Sequence, residues 1–235
     1  IEQAAQSHEG LRTIGLEQIR ELAALGQSIR GVEIAALRMG IVPTRYLRNV
    51  GTIGIEGQRQ LLESTVAVVG LGGLGGYIVE GLARMGIGRM TLIDGDHFDE
   101  HNLNRQLLAR EGNLGEGKAQ VASERTAEIN AAVTTVCHSL NLTKENAEDL
   151  LSDADVVVDA LDRLPTRLIL QDGAQALGIP LVHGSVGGFL GQVMTILPED
   201  PGLHALYGDG EGLPEQGVES VTGMPAATPM MIAAW

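Results

Sequence analysis

Apolar residues recur along this chain with two different periods, and the periods separate strands from helices. The sharpest block is TVAVV at residues 65–69, a run of β-branched and small apolar side chains that suits a strand buried on both faces. The chain then turns on Gly70, Gly72, Gly73, Gly75 and Gly76. Apolar spacing resumes at a helical period over residues 77–85, with Ile78, Leu82 and Met85 on one side. Further strands are predicted at 89–94 (RMTLID), 133–138, 155–159 (DVVVD) and 180–183. One more at 190–197 (LGQVMTIL) is expected to pair antiparallel. Helices are predicted at 118–132, 145–151 and 165–177, and residues 95–117 form a long polar connection. The alternation predicts an α/β fold, a Rossmann-like doubly wound and mostly parallel sheet with an antiparallel extension.

Residues 1–43 read as an N-terminal helical appendage to a nucleotide-binding domain over 44–235. Leu16, Ile19, Leu22 and Ala23 share one face, Ile29, Val32 and Ala36 continue a similar stripe, and Pro43 ends the pattern. Residues 44–62 read as a Gly-rich link followed by a short helix, and 198–220 as loop. The apolar tail 224–235 opens a helix that stops abruptly, so the natural chain is expected to continue; with no initiator Met, its start is expected to be processed or trimmed.

The glycine turn carries the first chemical signal. Gly70, Gly72 and Gly75 form G-x-G-x-x-G between a strand and a helix, the context that makes this spacing a phosphate-binding fingerprint. Glycine permits a tight turn and a close phosphate, and the helix start offers unpaired N–H donors. A turn used only for packing is the plainer alternative. Asp94 ends the next strand 19 residues after Gly75, where the fingerprint places a ribose-binding acid; a surface turn acid is its alternative. Arg105 and Lys118 lie where they can neutralise phosphate oxygens, and Asp162, after the fourth strand, can hold Mg²⁺, which takes one or two carboxylates plus phosphates. A nicotinamide dinucleotide site needs neither the lysine nor the metal acid, whereas cleavage of the α–β bond of ATP gains from both. The Walker signature is absent.

Charge and cysteine content narrow the classes. The 235 residues hold 16 Lys and Arg against 30 Asp and Glu, a net charge of −14, which argues against a nucleic-acid footprint and against an anionic membrane surface. No apolar run reaches the length of a membrane span and the N-terminus has no secretory pattern. A single cysteine excludes an internal disulfide framework and fits a reducing compartment, so a cytoplasmic location is expected.

As a set, these motifs resemble the E1-like, ThiF-type adenylyltransferases, which activate ubiquitin-like sulfur carriers in thiamine and molybdopterin synthesis. The resemblance covers about four fifths of the chain, from Arg45 onward. It is carried by RYLRN at 45–49, VVGLGGLGG at 68–76, LIDGDHFDEHNLNRQ at 92–106, LGEGKA at 114–119 and DALD at 159–162. It implies that Gly70, Gly72, Gly73 and Gly75 pack against ATP and that Asp94 binds the ribose. It further implies that Asn102, Arg105 and Lys118 contact the phosphates with Gln106 beside them, that Asp162 holds Mg²⁺, and that Arg48 reaches into the ATP site of the partner in a homodimer. The implied reaction is attack by the carrier's C-terminal Gly-Gly carboxylate on the α-phosphate, giving an acyl-adenylate and pyrophosphate.

The chain also departs from that pattern. Arg163 stands where Asn usually follows the metal-site Asp, and LHAL at 203–206 stands where the first of two CxxC pairs belongs, which argues against a structural zinc. No cysteine lies in GVESVTG at 217–223, and Cys137 falls inside a predicted strand, so adenylation without a covalent cysteine step is expected, with a sulfur donor attacking the adenylate directly. Two rivals stay open: an NAD(P)-dependent oxidoreductase on the same fold, and a non-catalytic nucleotide-binding scaffold.

Overall fold

Six strands form the central sheet of the computed structural model, which describes every residue except 9, 211, 213, 215, 216 and 218 and the side chains of 8, 219 and 220. In chain order its elements are β1 (Gln6–His8), β2 (Leu11–Ile14), α1 (Leu16–Ala23), α2 (Ile29–Arg38), β3 (Ile41–Pro43), α3 (Leu47–Glu63), β4 (Thr65–Val69), α4 (Gly73–Met85), β5 (Arg89–Ile93), α5 (Lys118–Ile129), β6 (Thr134–His138), α6 (Ala147–Leu151), β7 (Val156–Asp159), α7 (Leu164–Ala176), β8 (Leu181–Gly187), β9 (Leu190–Ile196), α8 (His204–Tyr207), α9 (Glu219–Thr222) and α10 (Ala227–Ala233).

The large sheet runs β6-β5-β4-β7-β8-β9, parallel except for β9, which pairs antiparallel with β8. Strand β4 is central because both of its faces are apolar. Val66 and Val68 join the core under α4 and α5, while Ala67 and Val69 join the opposite core under α6 and α7. The chain leaves β4 toward β5 and β6, then returns on the other side to β7. That reversal makes β4 the topological switch point, outside whose carboxyl end a ligand crevice forms.

Residues 1–43 hold more than the mostly helical appendage expected. Both helices are present, but β1, β2 and β3 form a separate three-stranded sheet, antiparallel between β1 and β2 and parallel between β2 and β3. Strands of three or four residues are too short to show a period, and β2–β3 pairing joins residues far apart in sequence. The Gly-rich link before β4 is also helical. Helix α3 runs through it with one kink at Gly54, whose φ of 72° and ψ of 173° leave the helical region.

A buried polar cluster joins this N-terminal unit to the main sheet's helices. Tyr46 Oη donates to the fully buried Glu33 carboxylate at 3.0 Å, and Asn130 Nδ2 donates to Tyr46 Oη at 2.9 Å and to Ala83 O at 3.1 Å. Arg45 pairs with Glu33 at 3.5 Å and donates to Asn130 Oδ1. Burial pushes the Glu33 carboxyl above its usual range, against the opposing pull of Arg45 and Tyr46, and it pushes the Tyr46 phenol up as well. Gly86 ends α4 in the left-handed region, with φ of 80°. A Cβ there would stand 2.5 Å from the Tyr46 ring, so the same glycine makes room for the cluster.

Residues 198–220, expected as loop, contain α8 and the start of α9, and part of the 211–218 stretch lies outside the described residues. His204 holds α8 to α7: Nε2 faces the Asp172 carboxylate at 2.7 Å and Nδ1 faces Gly208 O at 2.8 Å. Both acceptors favour the doubly protonated ring, and the Asp172 bond, followed by the Gly208 carbonyl, raises the His204 pKa. A raised folded-state value places the stabilisation below the unfolded pKa of about 6.5. That contribution is lost as pH rises through the folded value. Melting temperature measured from pH 6 to pH 9 is therefore expected to fall more for the wild type than for His204→Gln. The difference should be small because both side chains are partly in solvent, and identical profiles would remove His204 as the cause. Among the described residues no helix is long and apolar enough to cross a membrane.

Candidate nucleotide site

Three loops meet at the carboxyl end of β4, β5 and β7. Gly70 N donates to Ile93 O and Ala160 N donates to Val69 O, both at 2.9 Å, which ties the glycine turn between its neighbours. The turn has no room for side chains: a Cβ on Gly70 would lie 2.6 Å from Ala160 O, and one on Gly75 would lie 1.9 Å from Gly70 O. Gly75 therefore serves helix–strand packing, while Gly70, Gly72 and Gly73 line a cavity of about 240 Å³. Helix α4 starts at this cavity with no side-chain cap on Gly72, so its first N–H groups are left for a ligand.

Asp94 anchors the second wall. Its carboxylate accepts the Leu71 N–H at 2.7 Å and the Asp96 N–H at 2.8 Å, so the acid that ends β5 also fixes the glycine turn. Burial pushes its pKa up, and the Lys118 ammonium and the two backbone donors oppose that rise. Two bonds leave lone pairs of the carboxylate for ribose hydroxyls.

Lys118 is the first residue of α5 and is 7% exposed, with its ammonium 3.1 Å from the Asp96 carboxylate. Arg105 and Gln106 reach the cavity from the polar connection after β5. Arg105 Nη1 donates to His101 O and Asn104 Oδ1, both at 2.9 Å, and the buried Gln106 Oε1 has no hydrogen-bond partner among the described residues. That connection is ordered by its own side chains. Asn102 is buried and its Oδ1 accepts the Asp99 N–H at 3.0 Å, so it caps the turn that presents Arg105 and Gln106 instead of lining the cavity itself.

Asp162 lies exposed after β7 and faces both this cavity and a second cleft of about 230 Å³. The second cleft runs along the β8–β9 hairpin between Ser185, Gln192 and Tyr207. Arg48 is exposed on α3 and is outside the cavity lining. Sequence reasoning named Arg163 only as a departure from the motif and missed two further wall residues. Arg167 lies four residues after Arg163 in the first turn of α7, a spacing that could have been seen, and Met224 folds back over Gly73 from far along the chain, which nothing local foretells.

The lining mixes Arg105, Lys118, Arg163 and Arg167 with Asp94, Asp96 and Asp162. In a chain of net charge −14, this locally basic balance suits an anionic ligand. Among the described residues no group of three or more His, Cys, Asp or Glu could hold a metal ion on its own. A lone Asp162 carboxylate does fit Mg²⁺ brought in on phosphates, since that ion is commonly held by one or two carboxylates plus a substrate.

Comparison with known proteins agrees with this architecture. The model of the ThiF family matches residues 46–235. The chain belongs to the ThiF family. Among its relatives in that family, the SAMP-activating enzyme E1 of Haloferax volcanii is 38% identical over 165 residues, 69% of this chain and 61% of that protein. The sulfur carrier protein adenylyltransferase of Thermus thermophilus is 40% identical over 156 residues, 66% of this chain and 57% of that protein. A crystal structure of the E. coli tRNA N6-threonylcarbamoyladenosine dehydratase in complex with ATP superposes with a TM-score of 0.58 at 35% identity, covering 62% of this chain and 61% of that one. This ThiF-family chain thus spans about three fifths of the length of the relatives it matches, and its mostly parallel sheet with one antiparallel strand is the expected doubly wound fold.

Proposed function

We propose that this chain binds ATP with Mg²⁺ in the cavity at the end of β4 and adenylates the C-terminal glycine of a small ubiquitin-like sulfur carrier. The observation that carries this reading is the junction of two clefts at Asp162. One holds the phosphate-binding features, and the other opens beside it along the β8–β9 hairpin. A cleft that opens beside the nucleotide cavity gives a carrier's glycine tail a route to it.

The carrier's carboxylate oxygen attacks the α-phosphorus, the bond to the bridging oxygen breaks, and pyrophosphate leaves with its electron pair. Asp94 orients the ribose. Arg105 and Lys118 donate to phosphate oxygens as charge accumulates on the leaving group, and their partial burial strengthens that interaction. Asp162 would hold Mg²⁺ against the phosphates, where the ion supplies charge neutralisation. Cys137 does not line the cavity; its Sγ donates to Ala119 O at 3.5 Å from β6, so the proposal ends at the adenylate and leaves its attack to an external sulfur donor. The chain is proposed to act as a homodimer in the cytoplasm, with Arg48 entering the partner's cavity.

Calorimetry tests the nucleotide half without a carrier. ATP with Mg²⁺ is expected to bind the wild type and NAD⁺ is not, and Asp162→Ala should weaken ATP binding only where Mg²⁺ is present, by roughly tenfold or more. NAD⁺ binding that ignores Asp162 would instead favour the oxidoreductase. The dehydratase relative is named for a tRNA, but the net charge of −14 opposes a polyanionic partner here. Retardation of tRNA at physiological salt would reverse that choice.

A further inference from the structure

We propose that His183 is a positioning residue that sets the geometry of Asp162 through the buried Asp159; this rests on the reading of Asp162 as the carboxylate that meets the nucleotide's metal.

Asp159 and His183 are direct partners in the parallel register of β7 and β8, and both are fully buried. His183 Nδ1 donates to Asp159 Oδ2 at 2.6 Å. The other oxygen, Oδ1, accepts the Leu161 N–H at 2.9 Å. Leu161 is held from its other side as well: its carbonyl accepts from the Arg167 guanidinium, whose Nε lies 3.1 Å away and which also stands 3.9 Å from Asp159 Oδ2. Both polar groups of the Leu161 backbone are therefore clamped, one by Asp159 and one by Arg167. Asp162 is the next residue.

Rotation of the Asp159 carboxylate would change the Leu161 amide direction and swing Asp162 with it. The imidazole bond to one oxygen fixes the plane of the carboxylate, and with it the direction in which the other oxygen meets the Leu161 N–H. Asp159 is the single hydrogen-bond partner of the His183 ring among the described residues, and Nε2 has none. The ring therefore has one polar contact to lose. An apolar pair at this register would pack the same face without burying charge or an unpaired nitrogen. What the polar pair adds is orientation of the turn. Groups that hold a metal-binding carboxylate are worth about 10- to 100-fold in metal affinity.

The full chain is the sample, with His183→Leu, His183→Asn, His183→Gln and Asp162→Ala. Asn offers a donor amide near the position of Nδ1, Leu offers none, and Gln places its amide nearer Nε2. Two readouts are taken: ATP affinity by calorimetry with Mg²⁺ and with EDTA, and amide hydrogen exchange across residues 159–163. His183→Leu is expected to weaken ATP binding with Mg²⁺ by about tenfold, to leave binding in EDTA within about twofold, and to speed exchange at Leu161. His183→Asn should restore both. If His183→Leu does not fold, His183→Gln takes its place as the loss variant with the same expected result. Equal losses with and without Mg²⁺, unchanged exchange at Leu161, or failure of a folded His183→Asn to restore the turn would overturn the proposal. If Asp162→Ala leaves Mg²⁺-dependent binding intact while His183→Leu still loosens Leu161, the metal reading of Asp162 has failed and the positioning of the turn stands.

Discussion

Lys118→Ala is expected to lower carrier-dependent ATP–pyrophosphate exchange by roughly 10²- to 10³-fold, the loss typical of one preorganised donor aimed at developing charge. Its position explains the size. Lys118 opens α5 with its stem buried and its ammonium at the cavity wall, in a region with little water to screen it. Its present partner, Asp96, is largely in solvent, so the ammonium can be offered to a phosphate without breaking a buried ion pair. Loss of the ion pair itself should cost little stability, because the alanine variant leaves Asp96 hydrated. A second effect acts in the same direction. Lys118 opposes the burial that raises the Asp94 pKa, so its loss pushes that carboxyl further toward the neutral acid and weakens its grip on ribose hydroxyls and on the Leu71 N–H. Exchange assays with a Gly-Gly-terminated carrier, run beside a thermal melt, check both statements. A fully active, normally folded variant would remove Lys118 from the site.

Gly75→Ala is expected to abolish nucleotide binding and to destabilise the fold by ~3 kcal/mol, at or above the upper end for overpacking. The methyl group would stand 1.9 Å from Gly70 O, and backbone, unlike a flexible side chain, cannot yield without moving β4 away from α4. That separation opens the turn holding Gly70, Gly72 and Gly73. For a chain of this size the expected fall in Tm is about 6–12 °C. Gly81→Ala is the internal control. It lies in the same helix, meets nothing within 4 Å, and should raise stability by about 0.5–1 kcal/mol through helix propensity alone. Measured melts and ATP titrations of the two variants separate a local steric conflict from a general intolerance of change in α4.

Much of this site was legible because its signals are local. A strand, a glycine turn and a helix follow one another without interruption at 65–85, and acids end two further strands at Asp94 and near Asp162. Lys118 and Arg105 stood out as charges at loop ends. What stayed hidden depends on contacts between distant segments. Asn102 looks like a ligand in its motif, yet its amide closes a turn on Asp99, which only the folded loop reveals. Met224 reaches Gly73 across about 150 residues. The N-terminal sheet pairs β2 with β3 across both intervening helices, and its strands are too short to alternate visibly. His183 belongs to none of the sequence motifs; only the β7–β8 register places it against Asp159.

The central place of β4 has a consequence for how the chain comes to be folded. Val66 pairs with Met90 on one side and with Val156 on the other, so one neighbour is made soon after it and the other 90 residues later. At about 5–20 residues per second, a ribosome needs on the order of ten seconds to supply that second strand. Through that interval the edge of β4 that will meet β7 has unpaired backbone groups, and the face bearing Ala67 and Val69 waits for the helices that cover it. The nucleotide turn cannot take its final shape before Ala160 arrives to meet Gly70. Synthesis is thus the stage at which this chain is most open to mispairing, and the glycine turn that borders the candidate cavity is written long before the Ala160 segment that completes it.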